Sequence, residues 1–99
     1  MIIERSDNNG HVLIALTGRL DTTTSPKLEE ELKSVFDDAV ELILDFSALE
    51  YLSSAGLRVI LSSHKRATAV KRAMRIRNAN ESVMEVFEMT GFSDFLILE

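Results

Sequence analysis

The sequence predicts an α/β fold, a mixed β-sheet flanked by helices in the order ββαβαβαβ, and three observations carry that prediction. Apolar residues alternate in some segments and recur three and four apart in others, the periods of half-buried strands and of helices. The two kinds of segment follow one another along the chain. Glu41-Leu42-Ile43-Leu44-Asp45-Phe46 is the strongest strand, apolar enough for a central parallel strand buried on both faces. A chain of 99 residues is the size of one domain.

Each element has its own warrant. Ile2 to Arg5 and His11 to Thr17 alternate as strands, and Asn8-Asn9-Gly10 between them is hairpin-turn chemistry, so the two pair antiparallel. After Gly18 a polar loop is expected. Ser25 then reads as an N-cap with Pro26 at the first helical position and Glu29, Glu30 and Glu31 near the positive end of the helix dipole. Leu28, Leu32, Val35 and Phe36 give that helix its apolar face. Beyond the strand at Glu41, a second helix is expected from Ser53 to about Arg72, with Leu57, Ile60, Leu61 and His64 on one side. Ala73 to Arg77 alternates as a strand. Asn80 is the candidate cap of a third helix carrying Val83, Val86 and Phe87, which stops at Thr90-Gly91. Phe95-Leu96-Ile97-Leu98 closes as a last strand. Strands alternating with short crossover helices imply a mostly parallel sheet.

Composition narrows the function. There are 11 Lys and Arg against 16 Asp and Glu, a net charge of −5, and no cysteine. Disulfide frameworks, thiolate metal sites and cysteine nucleophiles are thereby excluded. Residues 1 to 50 hold 4 bases and 11 acids, whereas all seven later bases lie between Arg58 and Arg77, a stretch without an acid. That run reads as the solvated face of one helix and the next strand. One Tyr, no Trp and an acidic balance speak against a nucleic-acid surface. No apolar run approaches the roughly 18 residues of a membrane span, and the first ten residues do not read as a secretory signal. The expected location is the cytoplasm, without membrane insertion.

Chemistry concentrates at one junction, where Ser53 and Ser54 follow the strand and open a helix. Ser53 suits an N-cap accepting from the amides of Ala55 or Gly56. Ser54 then occupies the first helical position, where its hydroxyl is free to point to solvent. Ser54, Arg58, Ser62 and Lys65 form a polar stripe. A phosphate on Ser54 would sit beside open amides and near Arg58, adding about 1.5 to 2 negative charges without melting the helix. Enzyme signatures are absent: the chain has no GxxxxGK[ST], GxGxxG or HExxH, and Ser53-Ser54-Ala55-Gly56 lacks the flanking glycines of a nucleophile elbow. His64 reads as a packed core histidine and His11 as a hairpin-edge residue. Asp21 and Asp45 could form an acid pair only if folding brought them together. No cofactor or metal is expected.

The segments Leu42-Ile43-Leu44-Asp45-Phe46-Ser47 and Tyr51-Leu52-Ser53-Ser54-Ala55-Gly56-Leu57-Arg58-Val59-Ile60-Leu61 resemble the signature of the STAS domain, named for sulfate transporters and anti-sigma factor antagonists. Leu16-Thr17-Gly18-Arg19-Leu20-Asp21 is similar to the family's loop before its first helix. The resemblance covers residues 1–99 and implies the fold above. It also implies that Ser54 is the phosphorylated serine, with Gly56 and Leu57 as the Gly-Leu after it, and that Asp21 lies near it on the partner-binding surface. That surface would comprise Asp21, Thr22, Ser53, Ser54, Ala55, Gly56 and Arg58. The implied partner is an anti-sigma factor that is also a serine kinase. Unmodified antagonist binds it and releases the sigma factor, phosphorylated antagonist does not, and a serine phosphatase restores binding. Many members have aspartate where this chain has Ser53, and serine or threonine where it has Ala55. A second role within the family is a peripheral subunit of a membrane transport assembly, such as an ABC-type lipid transporter.

Overall fold

Asn9 and Gly10 turn the chain first. In the computed structural model, which describes residues 1–99, both have positive φ, 52° and 85°, the requirement of a two-residue type I′ hairpin. They join β1 (Ile2–Asn8) to β2 (His11–Leu20), antiparallel with Asn8 opposite His11 and Ile2 opposite Thr17. There follow α1 (Ser25–Leu32), a 3-10 turn at Val35–Asp37, β3 (Glu41–Leu52), α2 (Ser54–Ala69), β4 (Ala73–Arg77), α3 (Glu81–Thr90), a 3-10 turn at Phe92–Asp94 and β5 (Ile97–Leu98). The predicted order of strands and helices is the observed one. The five strands form one sheet in the order β1-β2-β3-β4-β5, parallel from β2 onward.

That strand order fixes where the core lies. Parallel crossovers are right-handed, and here all three step across the sheet in the same direction, so the three helices cover the same face. Val12, Leu42 and Met74 are neighbours in register, as are Ile14, Leu44 and Ile76, and all six are buried beneath the helices. The alternate row of Leu13, Ile43 and Arg75 is only half-buried. The expectation that β3 is buried on both faces is therefore corrected. β3 is central and parallel, but its second face looks toward solvent. One cluster of 23 buried apolar residues, with Phe46 and Phe87 fully enclosed, forms the core.

Several boundaries also differ from expectation. β2 runs through Gly18 to Leu20, where a loop is expected, and β3 runs six residues past Phe46 to Leu52. The register slips between Ala15 and Thr17 and again between Gly18 and Arg19, giving β3 two bulges. Phe46, Leu49 and Leu52 thereby keep facing the core at a spacing of three. α1 is capped not by Ser25 but by Thr24, so Ser25 and Pro26 are its first two residues and Glu29 to Glu31 lie beyond the first turn. Buried Ser25 instead donates its hydroxyl to the Asp21 carbonyl. α2 ends at Ala69 rather than Arg72. The last strand is reduced to Ile97 and Leu98, because the chain at Phe92–Asp94 coils into a 3-10 turn.

Candidate functional site

The carboxyl ends of β2 and β3 bring the singled-out residues together. The Ser53 amide donates to the Leu20 carbonyl at 2.9 Å, tying the start of α2 to the end of β2. Ser53 is extended and caps α2, its hydroxyl accepting from the Gly56 amide at 3.2 Å. With the cap supplied by Ser53, Ser54 occupies the first helical position and is exposed, as are Arg58, Ser62 and Lys65 along the same stripe.

Gly56 plays a different part from its neighbours. It is buried, and a Cβ there would lie 2.7 Å from Leu20 Cγ and 2.9 Å from Leu52 Cδ1. Its lack of a side chain lets the first turn of α2 seat against the ends of β2 and β3. Gly56 therefore sets the height of Ser54 from within, buried beneath the surface that the resemblance implies for it.

Asp21 closes the facing loop. Its carboxylate accepts from the Thr23 amide at 3.0 Å, the Thr24 amide at 3.1 Å and the Thr24 hydroxyl at 3.2 Å, while its own amide donates to that hydroxyl at 2.9 Å. The Thr24 amide foremost, against the opposing effect of desolvation, holds the carboxyl below its ordinary range, with the Thr24 hydroxyl, the Thr23 amide and the Arg19 guanidinium adding to it. The loop is thus ordered by its own side chains, and Thr22 is left exposed on it. Asp45 lies elsewhere, accepting from the Ser47 amide and Asn78, so the two aspartates share no partner and form no acid pair.

Two clefts flank Ser54. One lies between the starts of α1 and α2 and is lined by Thr22, Ser25, Glu29, Ala55 and Arg58. The other, lined by Ser54, Leu57, Arg58, Leu61 and Phe92, is largely apolar. Arg58 borders both. His64 is not the core histidine expected: it is half-buried, and its ring packs against exposed Phe95 with centroids 5.2 Å apart. His11 sits at the hairpin edge as expected, its Nδ1 3.5 Å from Glu41.

The sequence gives no sign of one further pair at this edge. Arg19, at the end of β2, lies with its guanidinium 4.2 Å from the centre of the Tyr51 ring at the end of β3. The signal was available only through register, because Arg19 and Tyr51 become opposite partners after the second bulge.

A mixed sheet whose carboxyl edge presents an exposed serine at a helix start, beside an ordered polar loop, defines a small α/β domain. A STAS domain profile matches residues 3–99, and the chain belongs to that family. It is 34% identical over 85 residues to the putative anti-sigma factor antagonist BtrV of Bordetella bronchiseptica, covering 85% of this chain and 73% of that one. It is 21% identical over 94 residues to the anti-sigma-B factor antagonist of Bacillus subtilis, covering 95% and 86%. Among solved structures, unphosphorylated SpoIIAA, an anti-sigma factor antagonist, superposes with a TM-score of 0.85 at 20% identity over 99% of this chain and 88% of its own. The Bacillus cell fate determinant SpoIIAA in its phosphorylated form superposes at 0.80, with 19% identity over 99% and 91%. No helix of the chain is long and apolar enough to cross a membrane.

Proposed function

We propose that this chain is a cytoplasmic anti-sigma factor antagonist switched by phosphorylation of Ser54. Unmodified, it binds an anti-sigma factor that is also a serine kinase, and the sigma factor is released. The kinase then moves the γ-phosphoryl of ATP onto Ser54 Oγ, whose proton leaves to a base, and ADP departs. The phosphorylated form no longer binds, and a serine phosphatase hydrolyses the ester to restore it. The role is regulatory rather than enzymatic.

The observation that carries this reading is the division of labour between Ser53 and Ser54: the first caps α2 and the second is exposed with nothing structural to do. Phosphate at that position would meet the open amides and positive dipole end of a 16-residue helix. The fold would therefore survive modification, and the change would fall on the docking surface, where about two negative charges and added bulk appear at once. SpoIIAA supports this, since its unphosphorylated and phosphorylated forms both superpose on this fold.

The test is a pull-down from the source cells with the unmodified protein as bait, followed by mass spectrometry of Ser54 before and after ATP is added. Recovery of an anti-sigma-type serine kinase with phosphate on Ser54 is the expected result. Recovery of a permease with Ser54 unmodified would replace this reading with the transport-subunit one.

A further inference from the structure

We propose that Arg19, held over Tyr51, is a specificity-determining contact that receives a carboxylate of the docked partner; this inference rests on the anti-sigma-type kinase reading above. Four observations carry it. The guanidinium lies 4.2 Å from the centre of the Tyr51 ring, a cation–π arrangement that holds the fork in one orientation. The pair is accessible: Arg19 keeps 58% of its side chain exposed and Tyr51 is 40% exposed. The guanidinium is poorly paired, since its only carboxylate neighbour is Asp21, whose Oδ2 lies 3.8 Å from Nε, beyond hydrogen-bond distance. Finally, the pair is continuous with the switch. Arg19 precedes Leu20, whose carbonyl accepts from Ser53, and Tyr51 lies three residues before Ser54.

Arg58 lies one turn beyond Ser54 on α2, on the helix side of the sheet, whereas Arg19 and Tyr51 alternate with core-facing Leu20 and Leu52 at the ends of β2 and β3 and so stand on the other side of the same carboxyl edge. Arg19 presents its terminal nitrogens in a planar fork that matches a carboxylate with two parallel bonds. Because stacking on Tyr51 already limits its rotamers, less conformational freedom is lost when a partner docks. Arg19 would thus add to the affinity of the unmodified complex through a contact separate from Ser54 itself.

The test uses the full-length protein and the anti-sigma-type kinase captured with the parent as bait, with dissociation constants measured by calorimetry at two salt concentrations. Arg19→Ala is expected to weaken binding about tenfold, and Arg19→Glu more, with melting temperatures close to the parent's. Arg19→Lys, which keeps the charge and loses the planar fork, is expected not to restore the parent's affinity, whereas Tyr51→Phe keeps it. In a double-mutant cycle, replacing one acidic residue of the kinase by Lys is expected to rescue Arg19→Glu. Tyr51 is the only tyrosine in the chain, so fluorotyrosine labelling yields one fluorine resonance, expected to move in Arg19→Ala and on adding kinase to the parent. Parent-like binding by Arg19→Ala, full rescue by Arg19→Lys, or an unmoved resonance on kinase binding would overturn the contact while leaving the switch intact. A parent that binds no such kinase would overturn the switch and the contact with it.

Discussion

Ser53 and Ser54 are chemically identical neighbours with separable roles, and substitution should separate them. Ser53→Ala removes the side-chain acceptor of the Gly56 amide and is expected to cost about 1 kcal/mol, roughly 4–8 °C in Tm for a domain of this size. Ser53→Asp keeps an acceptor and should melt near the parent. Ser54→Asp should leave Tm close to the parent's while abolishing partner binding, read by pull-down and calorimetry; binding equal to the parent's would refute the switch. Gly56 marks the opposite extreme, with no side chain and a buried position. Gly56→Ala would put a methyl against Leu20 and Leu52 and is expected to destabilise by about 1–3 kcal/mol, measured by urea denaturation, lowering partner affinity only through displacement of α2.

At the scale of elements, β3 and β4 are joined on the open face by a charged link. Glu41 accepts from Arg75 Nε at 3.0 Å, and Arg75 also lies 3.9 Å from Glu99. The Arg75 hydrogen bond foremost, against desolvation and with help from His11, lowers the Glu41 carboxyl from its ordinary range. A carboxyl lowered on folding contributes stability above its unfolded range and loses it as pH falls through the folded one. Arg75→Met should therefore melt below the parent at neutral pH, with the gap closing below about pH 4. Elements were legible in the sequence where their determinants are local. Asn80 caps α3 by accepting from the Val83 amide at 2.8 Å, and Asn9-Gly10 sets the hairpin, both as read from residue type alone. The far halves of β2 and β3 were not legible, because two bulges replace alternation by the spacing of Phe46, Leu49 and Leu52, which matches a helix as well as a strand. Ser25-Pro26 likewise has the chemistry of a helix start, but the Asp21 staple moves the cap back to Thr24. The exposed placement of Ser54 was readable because strand, cap and helix meet within a few residues. Arg19 and Tyr51 were not, since only the register of a bulged parallel pair makes them neighbours.

Across the whole molecule, a single one-sided core carries the fold. Phe46→Ala, at a fully enclosed position of the central strand, is expected to cost about 3–5 kcal/mol of a total that for such domains is about 5–15 kcal/mol, visible as a large fall in the urea midpoint. The uneven charge also acts at this scale: α2, the turn after it and β4 carry all the late bases of an otherwise acidic chain, so an acidic partner docking on this half would associate at a rate that falls as salt is added. The strand order has a further consequence, for how the molecule comes into being. Every pair of strands adjacent in the sheet is also adjacent in sequence, so no strand has to be inserted between two already placed. The hairpin of β1 and β2 can form first from short-range contacts, and each later helix and strand then closes one modest loop onto a waiting edge. A chain emerging from its amino end could add to the sheet in the order in which it is made.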